Sequence, residues 1–363
     1  MRILLIGEYS NVHATLAEGL RKLGYEVTVV SDGDSWKNYP RDIDVSRAEG
    51  IFGGLRLLIR LKRLMPQLTG YDIVQIINPM FFELRAERLI PFYHFLRKHN
   101  KKVFLGAFGM DWYWVKTCTY DMPLRYSDFN FGSEVRTDPE AQKYQIDWLG
   151  TIKERLNREI AADCDGIIAG LYEYWVCYRQ DFPQKTVFIP FPIKPVPYPS
   201  VKRAKGEKVV IFIGINARRS VYKGTDIMLQ AAEDIRHRYS HRMKLIKVVS
   251  VPFEQYQQKM DDSDVLLDQL YSYTPAMNAL LAMSKGMIVV GGGEPENYEI
   301  LGETELRPII NVEPNYDSVF HELEQLVLHP ERIPELKQQS IEYIKKHHDY
   351  VKVAMQYVDF WNR

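Results

Sequence analysis

Ile3 to Ile6 form an unbroken apolar run closed at once by Gly7, and no other feature of the chain narrows its fold so far. A strand that apolar on both faces must be covered on both, which is the situation of a parallel sheet flanked by helices. Val12, Leu16, Leu20 and Leu23 then recur at helical spacing, Gly24 ends the helix, and Glu26 to Val30 reads as the next strand. Residues 3–30 thus make one βαβ unit. The alternation continues with strands near Ile73–Ile77, Val103–Leu105, Gly166–Ala169 and Val187–Ile189, and with helical patterns at about 83–99, 147–162 and 171–180. The pattern predicts a doubly wound sheet. Residues 112–143 are polar, aromatic and weakly periodic, longer than an ordinary connection, and belong beside a functional site.

The opening arrangement returns once. After Ile189 the stretch PFPIKPVPYPS places five prolines in eleven residues, where neither strand nor helix continues. From Val209 the run VVIFIG repeats strand and glycine, and a helix follows from about Thr225. Strands near Lys244–Val249, Val265–Leu267, Met287–Val290 and Ile309–Asn311 alternate with helices at about 253–260, 275–285 and 296–302. Helical patterns at about 316–328 and 331–346 precede a last run from Asp349 to Trp361. The expected organisation is an N-terminal Rossmann-like domain (1–192), a linker (193–207), a second Rossmann-like domain (208–346) and a C-terminal helix (347–363) that returns to the first. A length of 363 residues suits two domains.

Composition removes several classes of function. Lys plus Arg and Asp plus Glu number 47 each, so the chain lacks the charge to grip a long polyanion, and nucleic acid is not an expected partner. Cys118, Cys164 and Cys177 are widely spaced without any C-x-x-C, which argues against a disulfide scaffold or a structural zinc and for a cytoplasmic setting. The apolar run in MRILLIGEYS is too short for a signal-peptide core, and no later segment has the ~20 residues of a spanning helix. Leu55 to Met65 is basic and amphipathic, either a helix packed on its sheet or a surface that meets anionic lipid at the inner face of a membrane.

Two loops carry the chemistry. In Gly214-Ile215-Asn216-Ala217-Arg218-Arg219-Ser220-Val221-Tyr222-Lys223-Gly224, two arginines and a lysine stand after a strand and before a helix, where free N–H groups and cationic side chains collect anions. A diphosphate fits there. The second constellation runs from Asp268 through Tyr273, Thr274 and Asn278 to Gly291-Gly292-Gly293-Glu294-Pro295-Glu296. Thr274 or Ser272 is placed to cap a helix opening at Pro275, and the glycines admit close approach of a ligand. Glu296, Glu299 and Glu303 fall on one helical face, either a solvated surface or a set that includes a donor contact. In the first domain, Gly7 opens a loop that lacks G-x-G-x-x-G, which disfavours dinucleotide binding. His13 is expected at its mouth, in reach of an acceptor. Asp111, beside Trp112 and Trp114, either orients sugar hydroxyls or caps a helix.

The order of these pieces resembles the GT-B nucleotide-sugar glycosyltransferases, in particular glycosyltransferase family 4, over nearly the whole chain. The resemblance implies two Rossmann-like doubly wound parallel-sheet domains facing each other across a cleft, a nucleoside-diphosphate sugar as donor, and a glycan or lipid-linked acceptor, with no further cofactor and no metal. It assigns Gly214, Asn216, Arg218, Arg219, Lys223 and Gly224 to the donor diphosphate, and the stretch from Asp264 to Val290 to the sugar and ribose. Transfer would be retaining, with Arg218 and Lys223 stabilising the departing diphosphate and Asp111 and His13 near the reacting atoms. Two features of the family pattern differ here. Tyr273 and Leu281 stand where retaining members carry a glutamate pair, and Phe108-Gly109-Met110-Asp111 stands where many have His-Gly-x-Asp. Asn278, Asp268, Glu294, Glu296 or Glu299 then takes over the ribose, or backbone does. The competing readings are another GT-B enzyme such as an epimerase, a sugar-nucleotide-binding protein without turnover, and, more weakly, a dinucleotide oxidoreductase.

Overall fold

The computed structural model describes residues 1–197, 201 and 206–363. The proline-rich linker expected at 193–207 falls in part on residues 198–200 and 202–205, outside the described residues. The chain divides into two compact units. Unit 1 comprises Met1–Pro123, Tyr144–Pro192 and Tyr350–Arg363, and unit 2 comprises Leu124–Lys143 and Ile193–Asp349. The segment Leu124–Lys143, read from sequence as part of the first domain, is therefore built into unit 2.

Unit 1 is formed around strands β1 (Arg2–Ile6), β2 (Glu26–Ser31), β3 (Ile43–Asp44), β4 (Ile73–Ile76) and β5 (Lys102–Ala107). After a two-strand hairpin, β6 (Asn130–Phe131) and β7 (Glu134–Val135), which belongs to unit 2, come β8 (Gly166–Ala169) and β9 (Thr186–Phe188). The seven strands are parallel in the order β3-β2-β1-β4-β5-β8-β9. Ile3, Leu4, Leu5 and Ile6 have no exposed surface, as an unbroken apolar strand requires. The order reverses between β1 and β4, so the carboxyl ends of these two strands diverge and leave a crevice.

Helix α1 (Val12–Lys22) buries the helical stripe seen in the sequence and packs against the C-terminal helix Tyr350–Trp361. Gly19 sets that distance: a Cβ there would lie 2.3 Å from the Tyr350 carbonyl oxygen. Trp361 is buried and donates its indole N–H to Gln75 of β4 over 3.2 Å. Helix α2 (Gly53–Leu64) turns Gly53, Leu57 and Leu61 inward. The pattern at 147–162 resolves into two helices, Pro139–Trp148 and Ile152–Asp163. Gly150 at φ 67° breaks them, and Thr151 caps the second by accepting from the Lys153 N–H.

Unit 2 holds a parallel sheet of β10 (Val209–Ile215), β11 (Met243–Val249), β12 (Val265–Leu267), β13 (Ile288–Gly291) and β14 (Ile309–Asn311), ordered β11-β10-β12-β13-β14. Its reversal lies between β10 and β12. One face is sealed by the helices Thr225–Arg238 and Tyr316–Leu328, which pack Met228, Ala231, Ile235, Val319 and Leu323 onto Ile211, Ile213, Val265 and Val290. Among the described residues no helix is long and apolar enough to cross a membrane.

Candidate functional site

In unit 2 the basic loop leaves the carboxyl end of β10, beside the reversal of strand order. Asn216 shapes it: its carbonyl and amide oxygens accept from the backbone N–H groups of Arg219 (3.0 Å) and Arg218 (3.1 Å). A single turn, Ser220–Lys223, follows, and Gly224 at φ 71° redirects the chain into the helix Thr225–Arg238. Glycine is required there twice over, since a Cβ would also approach Leu270 to 2.5 Å. Arg218 is exposed, while the Arg219 guanidinium lies over the Tyr222 ring at 5.1 Å. Gly214 faces the Tyr256 ring, where a Cβ would stand 2.3 Å from the nearest ring carbon.

Asp268 follows β12. Burial pushes its carboxyl up, opposed by the charge of Lys223 and by the Asn278 amide, which donates over 3.0 Å. Gly292 and Gly293 follow β13, and a Cβ on Gly292 would meet the Ser272 carbonyl oxygen at 2.6 Å, so two backbone segments touch. The helix expected from Pro275 starts at Met277 with Ala276 at its cap. Thr274 does not cap it; its carbonyl accepts instead from the Ser272 hydroxyl at 2.7 Å. Gly214, Asn216, Arg218, Arg219, Lys223, Gly224, Asp268, Asn278, Tyr273, Thr274, Gly292, Gly293, Glu294 and Glu296 thus gather along the strand ends of one sheet.

The segment Leu124–Lys143 supplies partners that the sequence reading did not anticipate. The Arg125 guanidinium bridges Glu294 (2.7 Å) and Glu296 (2.5 Å), and its backbone N–H donates to the Tyr273 hydroxyl at 2.7 Å. Tyr126 donates to the other oxygen of Glu294. Although partial burial acts to raise it, Arg125 holds the Glu296 carboxyl below its usual range. Arg136 lies 4.0 Å from the Tyr271 ring centre and donates to the Val221 carbonyl. Asp128 lies beside Tyr222 within the charge of Arg219, Lys223 and Arg136, and burial raises its carboxyl even so. A cluster of three cations already draws in one carboxylate. Glu303, read as part of a helical face, lies beyond the end of the helix Pro295–Leu301, buried against Lys346 (2.8 Å) and His347 (2.5 Å).

Unit 1 has its own cavity, of about 840 Å³, at the carboxyl ends of β1, β2, β4 and β5. Gly7 at φ 83° begins the loop at its floor, and any side chain there would strike Ile77. Glu8, 2% exposed, lines this cavity and accepts from the N–H groups of His13 (3.2 Å) and Ala14 (2.8 Å). It does the work of an N-cap for α1, since Asn11 at φ 73° makes no side-chain cap. Burial pushes the Glu8 carboxyl up to about 8. His13, expected at a mouth, has no exposed surface. Its Nδ1–H donates to the Gly7 carbonyl at 2.8 Å, and burial lowers the imidazole to about 3. The ring is neutral, and its buried Nε2 has no hydrogen-bond partner. Asp111 is a buried helix cap, accepting from the Trp114 N–H (2.9 Å) and the Tyr178 hydroxyl (2.7 Å), and burial pushes it up to about 7.

No protein-family model matches the chain, and no curated protein matches it. Solved structures do. Sucrose-phosphate synthase from Thermosynechococcus elongatus is 13% identical with a TM-score of 0.64, over 100% of this chain and 98% of that one. The fold is GT-B. HepE of Anabaena, solved in complex with UDP-glucose, is 11% identical with a TM-score of 0.58 over 99% of both chains. UDP-GlcNAc 2-epimerase from Neisseria meningitidis, solved with UDP-GlcNAc, is 10% identical with a TM-score of 0.54, again over 99% of both. At these identities the likeness is one of GT-B architecture.

Proposed function

We propose that the chain is a nucleotide-sugar enzyme, and specifically a glycosyltransferase that moves a sugar from a nucleoside-diphosphate donor to a glycan or lipid-linked acceptor. The observation that carries this reading is the gathering of Arg219, Lys223 and Arg136 around Asp128 at the strand reversal of unit 2, at the loop that also carries the exposed Arg218. GT-B neighbours solved with UDP or UDP-sugars support it. In this account Arg218, Arg219 and Lys223 bind the diphosphate and take up the charge that develops as it leaves, while its oxygen assists the acceptor hydroxyl and the anomeric configuration is retained. Asp268 with Asn278 holds ribose or sugar hydroxyls, and the Arg125 clamp fixes Glu294 and Glu296 in place. The unit 1 cavity, within the size range of small-molecule sites, takes the acceptor. His13 has no exposed surface and does not line that cavity, so the acceptor meets Glu8 and Tyr9 of the same loop instead.

A second reading is an epimerase, because the retaining glutamate pair is replaced by Tyr273 and Leu281 and a UDP-GlcNAc 2-epimerase shares the fold. Incubation with UDP-, GDP- and ADP-sugars separates the cases. Release of nucleoside diphosphate that depends on added acceptor supports transfer. Interconversion of the sugar without acceptor favours the epimerase, and binding without turnover refutes both.

A further inference from the structure

Large exposed apolar residues concentrate on one element of unit 1. In α2 and the turn before it, Ile51 is 91% exposed, Phe52 59%, Leu55 55% and Ile59 42%. Phe52, Leu55 and Ile59 are spaced i, i+3, i+7, so they form one strip, turned away from the buried Gly53, Leu57 and Leu61. Leaving such a strip in water is unfavourable, and a contiguous one marks a surface that something covers.

The charges around it say what. Arg56, Arg60, Lys62 and Arg63 are all exposed on the same helix, and residues 50–68 contain no acidic residue, in a chain whose total charge is balanced. Arg60 is engaged with the Asp44 and Ser46 carbonyls, which leaves Arg56, Lys62 and Arg63 directed outward. Apolar side chains interleaved with long cationic ones suit a plane where hydrocarbon lies beneath anionic headgroups. The strip meets the cavity at Leu55, with Ile51 of the preceding turn beside it, and the same rim carries Arg47, paired with Glu83, and Arg85 and Arg88.

We propose that α2 and its preceding turn dock unit 1 onto an anionic lipid bilayer, with the cavity opening beside the contact. If the cavity takes the acceptor, a part of the inference that rests on the function proposed above, that acceptor is presented at a membrane surface. The docking itself does not depend on that reading.

The test is co-flotation of the full chain with phosphatidylglycerol/phosphatidylcholine vesicles and with phosphatidylcholine vesicles alone, at low and high salt. The protein is expected to float with the anionic vesicles and to be released by salt. Phe52→Ser/Ile59→Ser should abolish flotation, and Lys62→Ser/Arg63→Ser should weaken partitioning roughly fivefold per charge removed. Neither pair lines the cavity or packs inward, so melting temperature and nucleotide binding should stay unchanged. Wild-type protein that floats with neither vesicle, or variants that float as well as wild type, overturn the proposal. So does concentration-dependent dimerisation in sedimentation that the apolar variant loses, which assigns the strip to a second copy of the chain.

Discussion

Replacing Glu8 by Gln isolates the cost of holding an ionisable group at the floor of the unit 1 cavity. In the unfolded chain this carboxyl titrates near 4.5, and in the fold burial pushes it up to about 8. Because the folded value is raised, the favourable contribution is complete below 4.5 and is lost as pH climbs through about 8. At roughly 1.4 kcal/mol per pH unit, the loss approaches ~3 kcal/mol at neutrality and ~5 kcal/mol in alkali. Gln never ionises. Like a protonated carboxyl it offers one carbonyl oxygen, so either the His13 or the Ala14 N–H stays bonded and the two proteins should match in acid. Thermal unfolding followed by circular dichroism between about pH 5 and 9 is the assay. The variant should pull ahead as pH rises, by ~10–20 °C above pH 8 at about 2–4 °C per kcal/mol. Melting curves that run parallel across that range would refute the reasoning, because they would show Glu8 already charged and compensated.

Asp128→Asn should tighten binding of a nucleoside diphosphate about three- to tenfold by titration calorimetry, since it withdraws a carboxylate from among Arg219, Lys223 and Arg136. Weaker binding would show instead that Asp128 orders those cations. Gly19→Ala should cost about 1–3 kcal/mol in denaturant unfolding, because α1 and the C-terminal helix must move apart to admit a Cβ 2.3 Å from a carbonyl oxygen. Glu303 is buried, which alone would raise its carboxyl, yet hydrogen bonds from His347 and Lys346 hold it well below the usual range. Its contribution is therefore present above 4.5 and disappears as pH falls. Glu303→Gln should lose about 1–3 kcal/mol at neutral pH and little in acid, as read by urea titration at both.

Both sheets were legible in the sequence because doubly buried strands must be apolar throughout: Ile3–Ile6 and VVIFIG announce the first strand of each unit without ambiguity. The basic loop was legible for a related reason, since glycines and cations between a strand and a helix sit at a strand end by construction. What the sequence hid was long-range pairing. Arg125 and Glu294 are 169 positions apart, and nothing local in Arg125-Tyr126 names a carboxylate as partner. The segment drew attention only as an irregular loop, and it lies in unit 2 because its side chains find their partners there. Glu8 escaped notice because Asn11 is the better cap by residue type, and only its backbone at φ 73° removes it from that role. His13 looked available because neither polar residue type nor motif position reports that a side chain is entirely enclosed, whereas of the two roles open to Asp111 the fold takes the helix cap.

The central claim is that the loop from Gly214 to Gly224 binds a nucleoside diphosphate, and thermal-shift titration tests it directly. UDP, GDP, ADP, CMP and NAD would be titrated against the wild type and against Arg218→Ala, Arg219→Ala and Lys223→Ala. One nucleoside diphosphate should raise the melting temperature of the wild type in proportion to the logarithm of its concentration, and each substitution should reduce or abolish the shift. A shift with NAD alone, no shift at saturating ligand, or a shift that all three substitutions leave intact would contradict the account.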